Sequence, residues 1–97
     1  MNKVSDIRKV NQLSKLIYKK PVETSTRKNK KYMILNEDNK YVHFGDNRYE
    51  DYTIHNDLER RKRYLNRARN IKGKWKNDKY SPNNLAINLL WNGKNNL

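Results

Sequence analysis

Apolar positions divide the chain into four segments with recognisable periods. Val4, Ile7, Val10, Leu13, Leu16 and Ile17 step by three and four, which predicts an amphipathic helix over residues 5 to 19. Ser5 stands at its N-cap, and Pro21 ends it by disfavouring helix in the residue before it. Tyr32-Met33-Ile34-Leu35 and Tyr41-Val42-His43-Phe44 are short β-prone runs, and Asn36-Glu37-Asp38-Asn39-Lys40 between them has turn chemistry. The pair predicts a β-hairpin, which needs a further strand or a helix over one face. Leu58, Arg61, Tyr64, Leu65, Ala68 and Ile71 share one face of a basic helix. Asn56 is its expected N-cap, Glu59 the capping-box partner and Gly73 the stop. Ser81-Pro82 then opens a last helix carrying Leu85, Ile87, Leu89, Leu90 and Trp91, closed by Asn92-Gly93.

The connections differ in character. Residues 22 to 31, Val-Glu-Thr-Ser-Thr-Arg-Lys-Asn-Lys-Lys, have the composition of a flexible basic tether. Asp46 to Thr53 is an acidic, aromatic loop, and residues 71 to 80 form a basic loop with Trp75 and Tyr80. The expected architecture is α+β: a β-hairpin or small antiparallel sheet covered by the basic helix and the apolar C-terminal helix. Residues 1–29 read as an N-terminal helix and tether, and residues 30–97 as one small domain. There is no internal repeat.

Composition sharpens this picture. With 97 residues and 34% apolar content, seven Tyr, two Trp and one Phe must supply much of a thin core. Twenty-three Lys and Arg against ten Asp and Glu give a net charge of +13, which favours a polyanionic partner. The abundance of Asn beside Lys, Ile and Tyr also hints at an AT-rich coding genome, so some Lys reflects codon supply. Absence of cysteine removes disulfides and thiolate zinc sites. No apolar run approaches the roughly 20 residues of a membrane span, and Met1 to Asp6 lacks a signal-peptide core, so the expected setting is intracellular.

The charge is concentrated. Between Arg60 and Lys79, ten Lys and Arg face the single acid Asp78, leaving net +9. Arg61 falls within the apolar stripe of the basic helix, where an unpaired guanidinium is costly. It is therefore expected to be structural, paired with Asp46, Glu50 or Asp51 or with backbone carbonyls. Arg60, Lys62, Arg63, Arg67, Arg69, Lys74 and Lys76 fall away from the stripe and are candidates for phosphate contacts, with Trp75 or Tyr80 as a base-stacking surface. The competing explanation is a solvated charged face, and the one-sidedness of this run weighs against it. No base-reading motif is present, so binding is expected to be independent of nucleotide sequence and steeply salt-dependent.

Other chemistry is weakly supported. His43 and His55 with Asp46 or Asp51 match no metal-loop spacing, and His43 reads as a partly buried ring with a backbone partner. A nuclease built on Asp46, Glu50 and Asp51 is the remaining enzymatic possibility, and it lacks any supporting motif. The expectation is a non-enzyme with no cofactor, no metal and no small-molecule substrate. Leu85, Leu89, Leu90 and Trp91 read as core, part of which could dock another subunit.

Lys30-Lys31-Tyr32, His43-Phe44-Gly45-Asp46, Tyr49-Glu50-Asp51-Tyr52-Thr53, His55, Arg60-Arg61, Tyr64-Leu65 with Arg67, Tyr80-Ser81-Pro82-Asn83 and Leu89-Leu90-Trp91 form an ordered series. Over residues 30 to 92 it resembles a family of small basic uncharacterised proteins of large DNA viruses and some phages. The resemblance implies a viral protein, packaged in the virion or acting in the host cytoplasm at the virus factory, and it brings no catalytic residues. An Arg-His pair associated with the end of the basic helix stands here as Arg67-Ala68, so any role of that His is missing. Two functions follow as expectations. One is binding of nucleic-acid backbone, DNA more than RNA. The other is a minor capsid or cement role, in which the N-terminal helix serves as an arm and the basic face meets acidic surfaces of viral structural proteins. An arm extended from the domain favours the second function, and an arm folded back favours the first.

Overall fold

A computed structural model of the protein describes residues 7–92. In order, the chain forms α1 (Ile7–Ile17), β1 (Glu23–Thr24), β2 (Tyr32–Leu35), β3 (Tyr41–Phe44), α2 (Tyr52–His55) and α3 (Leu58–Arg69). A 3-10 turn (Trp75–Asn77) follows, then α4 (Pro82–Leu85), which continues as a π-helical turn (Ala86–Leu90). The strands make one antiparallel sheet in the order β1-β2-β3. The fold is α+β, as the alternation of periods predicts. Val4 and Ser5, the expected start of α1, and Gly93 lie outside the described residues.

The hairpin forms where the pattern places it, with Tyr32 opposite Phe44 and Leu35 opposite Tyr41. Asn36 explains the sharpness of its turn, because its Oδ1 accepts the Asp38 and Lys40 N–H groups at 2.9 and 3.0 Å. Asn39 then adopts a left-handed φ of 59°, a conformation that Asn tolerates better than most residues.

Residues 22 to 31 are not a tether. Glu23 and Thr24 pair with Met33 and Tyr32 as β1, and Val22 is buried in the core. A polar, charged composition suits a two-residue edge strand exposed along its length, and the unpaired side of β2 supplies its hydrogen-bond partners. The N-terminal helix is equally part of the fold. Val10 and Leu13 of α1 join Tyr18, Val22, Ile34, Phe44, Leu85 and Leu89 in one core cluster. Leu16 remains exposed, so the buried stripe is narrower than the apolar pattern suggests.

Several lysines hold this helix rather than face solvent freely. The last carbonyls of a helix lack internal partners. Here Lys19 Nζ donates to the Leu16 carbonyl at 3.0 Å and Lys79 Nζ to the Ile17 carbonyl at 2.6 Å. Lys20 Nζ similarly donates to the Leu35 carbonyl at 3.0 Å. Part of the +13 charge is thus committed to the fold.

The start of the basic helix departs from expectation by one residue. Asp51 Oδ1 accepts the Thr53 N–H at 2.9 Å and so caps α2, a short helix in what reads as loop. Asn56, expected to cap α3, adopts φ 53° and closes α2 instead. Asp57 takes the N-cap of α3, accepting from the Glu59 and Arg60 N–H groups at 3.0 and 3.3 Å. Two adjacent residues with capping chemistry divide the work: Asn suits the left-handed closing position, and Asp suits the helix N-terminus. In α3 Leu65 and Ala68 are buried, whereas Leu58 and Ile71, expected on the same face, are exposed.

Ser81 caps α4 by accepting the Asn84 N–H at 3.2 Å, with Pro82 in the first turn as expected. The last turn widens, and Trp91 N–H reaches back five residues to the Ala86 carbonyl at 3.0 Å. The widened turn buries Leu89 and Leu90 and carries Trp91 over toward α3. Gly45 makes room for this turn. Its φ is +79°, and a Cβ there would lie 2.9 Å from Leu90 Cδ1 and 3.1 Å from Lys31 Cβ.

Candidate functional site

The loop after β3, helix α3 and the C-terminal helix enclose an open groove of about 700 Å³. Helical geometry decides which basic residues face it. Arg60, Arg63 and Arg67 recur at three and four residues and all line the groove, with Tyr64 between them. Lys62 and Arg69 are exposed on α3 but do not line it. Lys74 and Lys76 are exposed on the following loop, also outside the groove. The candidate phosphate contacts therefore divide into a groove face and an outer face.

Within the groove, the acidic residues are all engaged. Asp46 is held by a fork from Arg48, with Nε to Oδ1 at 3.0 Å and Nη2 to Oδ2 at 2.8 Å. That guanidinium keeps the Asp46 carboxyl at a pKa of about 2. Glu50 Oε1 accepts from Arg60 Nη1 at 3.1 Å. Asp51, 1% exposed, accepts from Lys31 Nζ at 2.5 Å and from the Thr53 hydroxyl. Lys31 is itself only 6% exposed, so this is a buried ion pair at the root of the groove. Three carboxylates that the sequence offers as a metal-dependent site are thus tied to three different cations. No group of three His, Asp or Glu among the described residues is arranged to hold a metal ion.

What remains is cationic. Arg63 and Arg67 stand one turn apart with no carboxylate partner among the described residues, and Lys30 lines the same groove. Lys30 also lines a second concavity of about 590 Å³ formed by the β1–β2 loop, with Arg27 and Lys28. This loop is not legible from the residues, whose composition suits a tether. Their basic run was the available signal.

Of the partners expected for Arg61, the structure shows a backbone carbonyl and not the ion pair with Asp46 or Asp51. Arg61 Nε donates to the Trp91 carbonyl at 2.8 Å, and its guanidinium lies 5.6 Å from the Tyr52 ring centroid. Asp51 is committed to capping α2 and to Lys31, and Asp46 to a cation two residues away. The carbonyl at the end of the π-helical turn is the acceptor left for Arg61. Trp91 is fixed further by stacking on Tyr64, with centroids 4.1 Å apart and planes 9° from parallel. Burial pushes the Tyr64 hydroxyl up to about 12.

Trp75, the expected stacking surface, is half-buried. Its Nε1 donates to the Ile71 carbonyl at 2.7 Å, and Lys76 Nζ lies 5.6 Å from its ring centroid. The ring anchors the loop after α3. Tyr80 packs on Tyr18 at 5.2 Å. His43 is half-buried as expected, but its partner is a side chain, with Nδ1 2.7 Å from the Ser25 hydroxyl.

His55 sits between Tyr52 and Trp91 at 6.1 and 5.3 Å. Its Nδ1 accepts the Asp57 N–H at 2.9 Å, and its Nε2 is buried without a hydrogen-bond partner among the described residues. Burial, and then the charge of Arg60, lower its pKa. The unfolded chain therefore binds a proton more readily than the folded one as pH drops below about 6.5, the ordinary value. Denaturant unfolding should show stability decreasing below that pH, with a shallower decrease in His55→Gln. An equal slope in the variant would remove His55 from this account.

The comparisons with known proteins give one result. No match was found among curated proteins or among solved structures. A family model for a family of unknown function, DUF5754, matches residues 20–68, from just after α1 to the last turn of α3. That span includes β1, the hairpin, the loop carrying Asp46 to Asp51, and Arg60, Arg61, Arg63 and Arg67 of α3, but not Arg69. It covers just over half of the chain, and the protein belongs to the DUF5754 family of unknown function.

Proposed function

We propose that this protein binds nucleic-acid backbone without sequence specificity, DNA more than RNA, through the cations of the α3 groove. The supporting observation is the contrast between Arg63 and Arg67 and their neighbours. Arg60 and Lys31 are matched by carboxylates, whereas Arg63 and Arg67 stand one turn apart with none among the described residues. Cations spaced along one helix face can contact successive phosphates, and such contacts give affinity without reading bases. Lys62, Arg69, Lys74 and Lys76 add longer-range attraction from the outer face, and Trp75 supports the loop that carries two of them. The viral setting, in a virion or virus factory, belongs to this proposal through the resemblance described above. The folded position of α1 supports a self-contained binding module over an extended capsid arm.

Glu50→Gln tests the groove with a change of opposite sign to most binding mutations. It releases Arg60 from a half-exposed pair whose contribution to stability is about 0–1 kcal/mol. One more available cation should steepen the log–log salt slope by about 1 and tighten binding to random-sequence DNA. Fluorescence anisotropy reads both quantities. Unchanged binding would place the contact elsewhere.

A further inference from the structure

We infer that the groove takes a single strand, with Tyr49 stacking on a base while Arg63, Arg67 and Lys30 hold its phosphates. The inference rests on the proposed backbone binding and adds the form of the nucleic acid.

Tyr49 lines the groove and is 66% exposed, the highest exposure among the large apolar side chains of the described residues together with Leu58. Its position is prepared by the preceding turn. Asp46 Oδ1 accepts the Arg48 N–H at 3.0 Å, and the Asp46 carbonyl accepts the Tyr49 N–H at 3.2 Å. The Arg48 fork on Asp46 closes the same turn and sets its guanidinium 5.9 Å from the Tyr49 ring centroid. An aromatic ring is thereby presented to solvent from a hydrogen-bonded turn, which lowers the entropy cost of ordering it on binding.

The rest of the groove fits a strand with accessible bases. Its lining includes Ile71, which is 54% exposed, and the apolar surfaces of Tyr64, Leu90 and Trp91. Duplex DNA presents sugars and phosphates on its outside and keeps its base faces stacked within. A concave surface with an apolar floor and an exposed aromatic ring offers those faces nothing. In a single strand each base has a free π-face, and backbone-tracking cations beside a stacking ring form the recurrent arrangement for binding it. The second concavity, reached through Lys30 and lined by Arg27 and Lys28, extends the basic track beyond the groove.

The test compares a thymidine oligonucleotide with a random-sequence duplex of equal length, using anisotropy on the full chain at fixed salt. The expected result is tighter binding of the single strand. Tyr49→Ala should weaken single-strand binding roughly tenfold, within the range measured for loss of one base–aromatic stack, and leave duplex binding unchanged. Tyr49→Phe should retain wild-type binding, because the stacking face is kept. Duplex binding equal to or tighter than single-strand binding, or a silent Tyr49→Ala, would overturn the inference while leaving backbone binding in place. Binding to neither oligonucleotide would overturn both readings. Since Tyr49 is exposed, its replacement should leave the thermal unfolding midpoint unchanged.

Discussion

Asp51→Ala should destabilise the protein by about 3–5 kcal/mol, the usual consequence of removing one partner from a buried ion pair. The carboxylate has three roles at one point: it pairs with Lys31, accepts from the Thr53 hydroxyl and caps α2. Its loss leaves the Lys31 ammonium buried at 6% exposure beside a helix with one fewer satisfied N–H group. Small domains have total stabilities of about 5–15 kcal/mol, so the variant should be largely unfolded or close to it at ambient temperature. Lys31→Met should be severe for the complementary reason, since it strands the carboxylate. The double variant Lys31→Met with Asp51→Asn should be less damaged than the sum of the two single changes, because neither partner is left as a lone buried charge. Guanidinium denaturation gives all the values. A loss below about 1 kcal/mol in Asp51→Ala would mean that water reaches this pair.

The second large effect is on binding. Arg63→Glu with Arg67→Glu should weaken affinity for DNA by at least about tenfold at physiological salt and flatten the log–log slope by about 2, one unit for each phosphate contact removed. Both side chains are exposed and face no carboxylate among the described residues, so the thermal unfolding midpoint should hold. The same reversal at Lys62 and Arg69, on the outer face of α3, should have a smaller effect. If the two pairs proved equal, attraction would be a property of the whole charged surface and the groove would have no special role.

Much of the fold is legible in the residue pattern, and the misses share a physical cause. The hairpin could be read because its strands are apolar and Asn36 and Asn39 mark the turn. The C-terminal helix could be read because Ser81-Pro82 is an unambiguous start. By contrast, β1 has no apolar alternation, since an edge strand of two exposed residues takes its stability from the neighbouring backbone rather than from side-chain burial. Its one apolar marker, Val22, stands just after Pro21 and reads as the first residue of the tether. The shift from Asn56 to Asp57 at the start of α3 turns on which of two capping residues goes left-handed, and the need to close α2 decides it.

The candidate site was legible to a similar depth. Spacing alone separates Arg61 from Arg60, Arg63 and Arg67, and Arg61 does turn to a backbone carbonyl and the Tyr52 ring. Which carbonyl it meets could not be read, because a carbonyl freed by a π-helical turn leaves no mark in the residue pattern. Pairing of Arg60 with Glu50 likewise depends on how the β3–α2 loop folds back over α3. Trp75 and Tyr49 show the limit most clearly. Both are aromatic residues beside basic ones, yet Trp75 is turned inward by its bond to the Ile71 carbonyl and Tyr49 is turned outward by the Asp46 turn.

The central claim is that the cations of the α3 groove that meet no carboxylate among the described residues engage several phosphates at once. The most direct measurement is binding of the wild-type protein to random-sequence DNA by fluorescence anisotropy across a series of salt concentrations. Micromolar or tighter binding near physiological salt, with a log–log slope of several units, is the predicted result. Binding that vanishes by about 100 mM salt, where the screening length is about 10 Å, would show only generic attraction and contradict the claim.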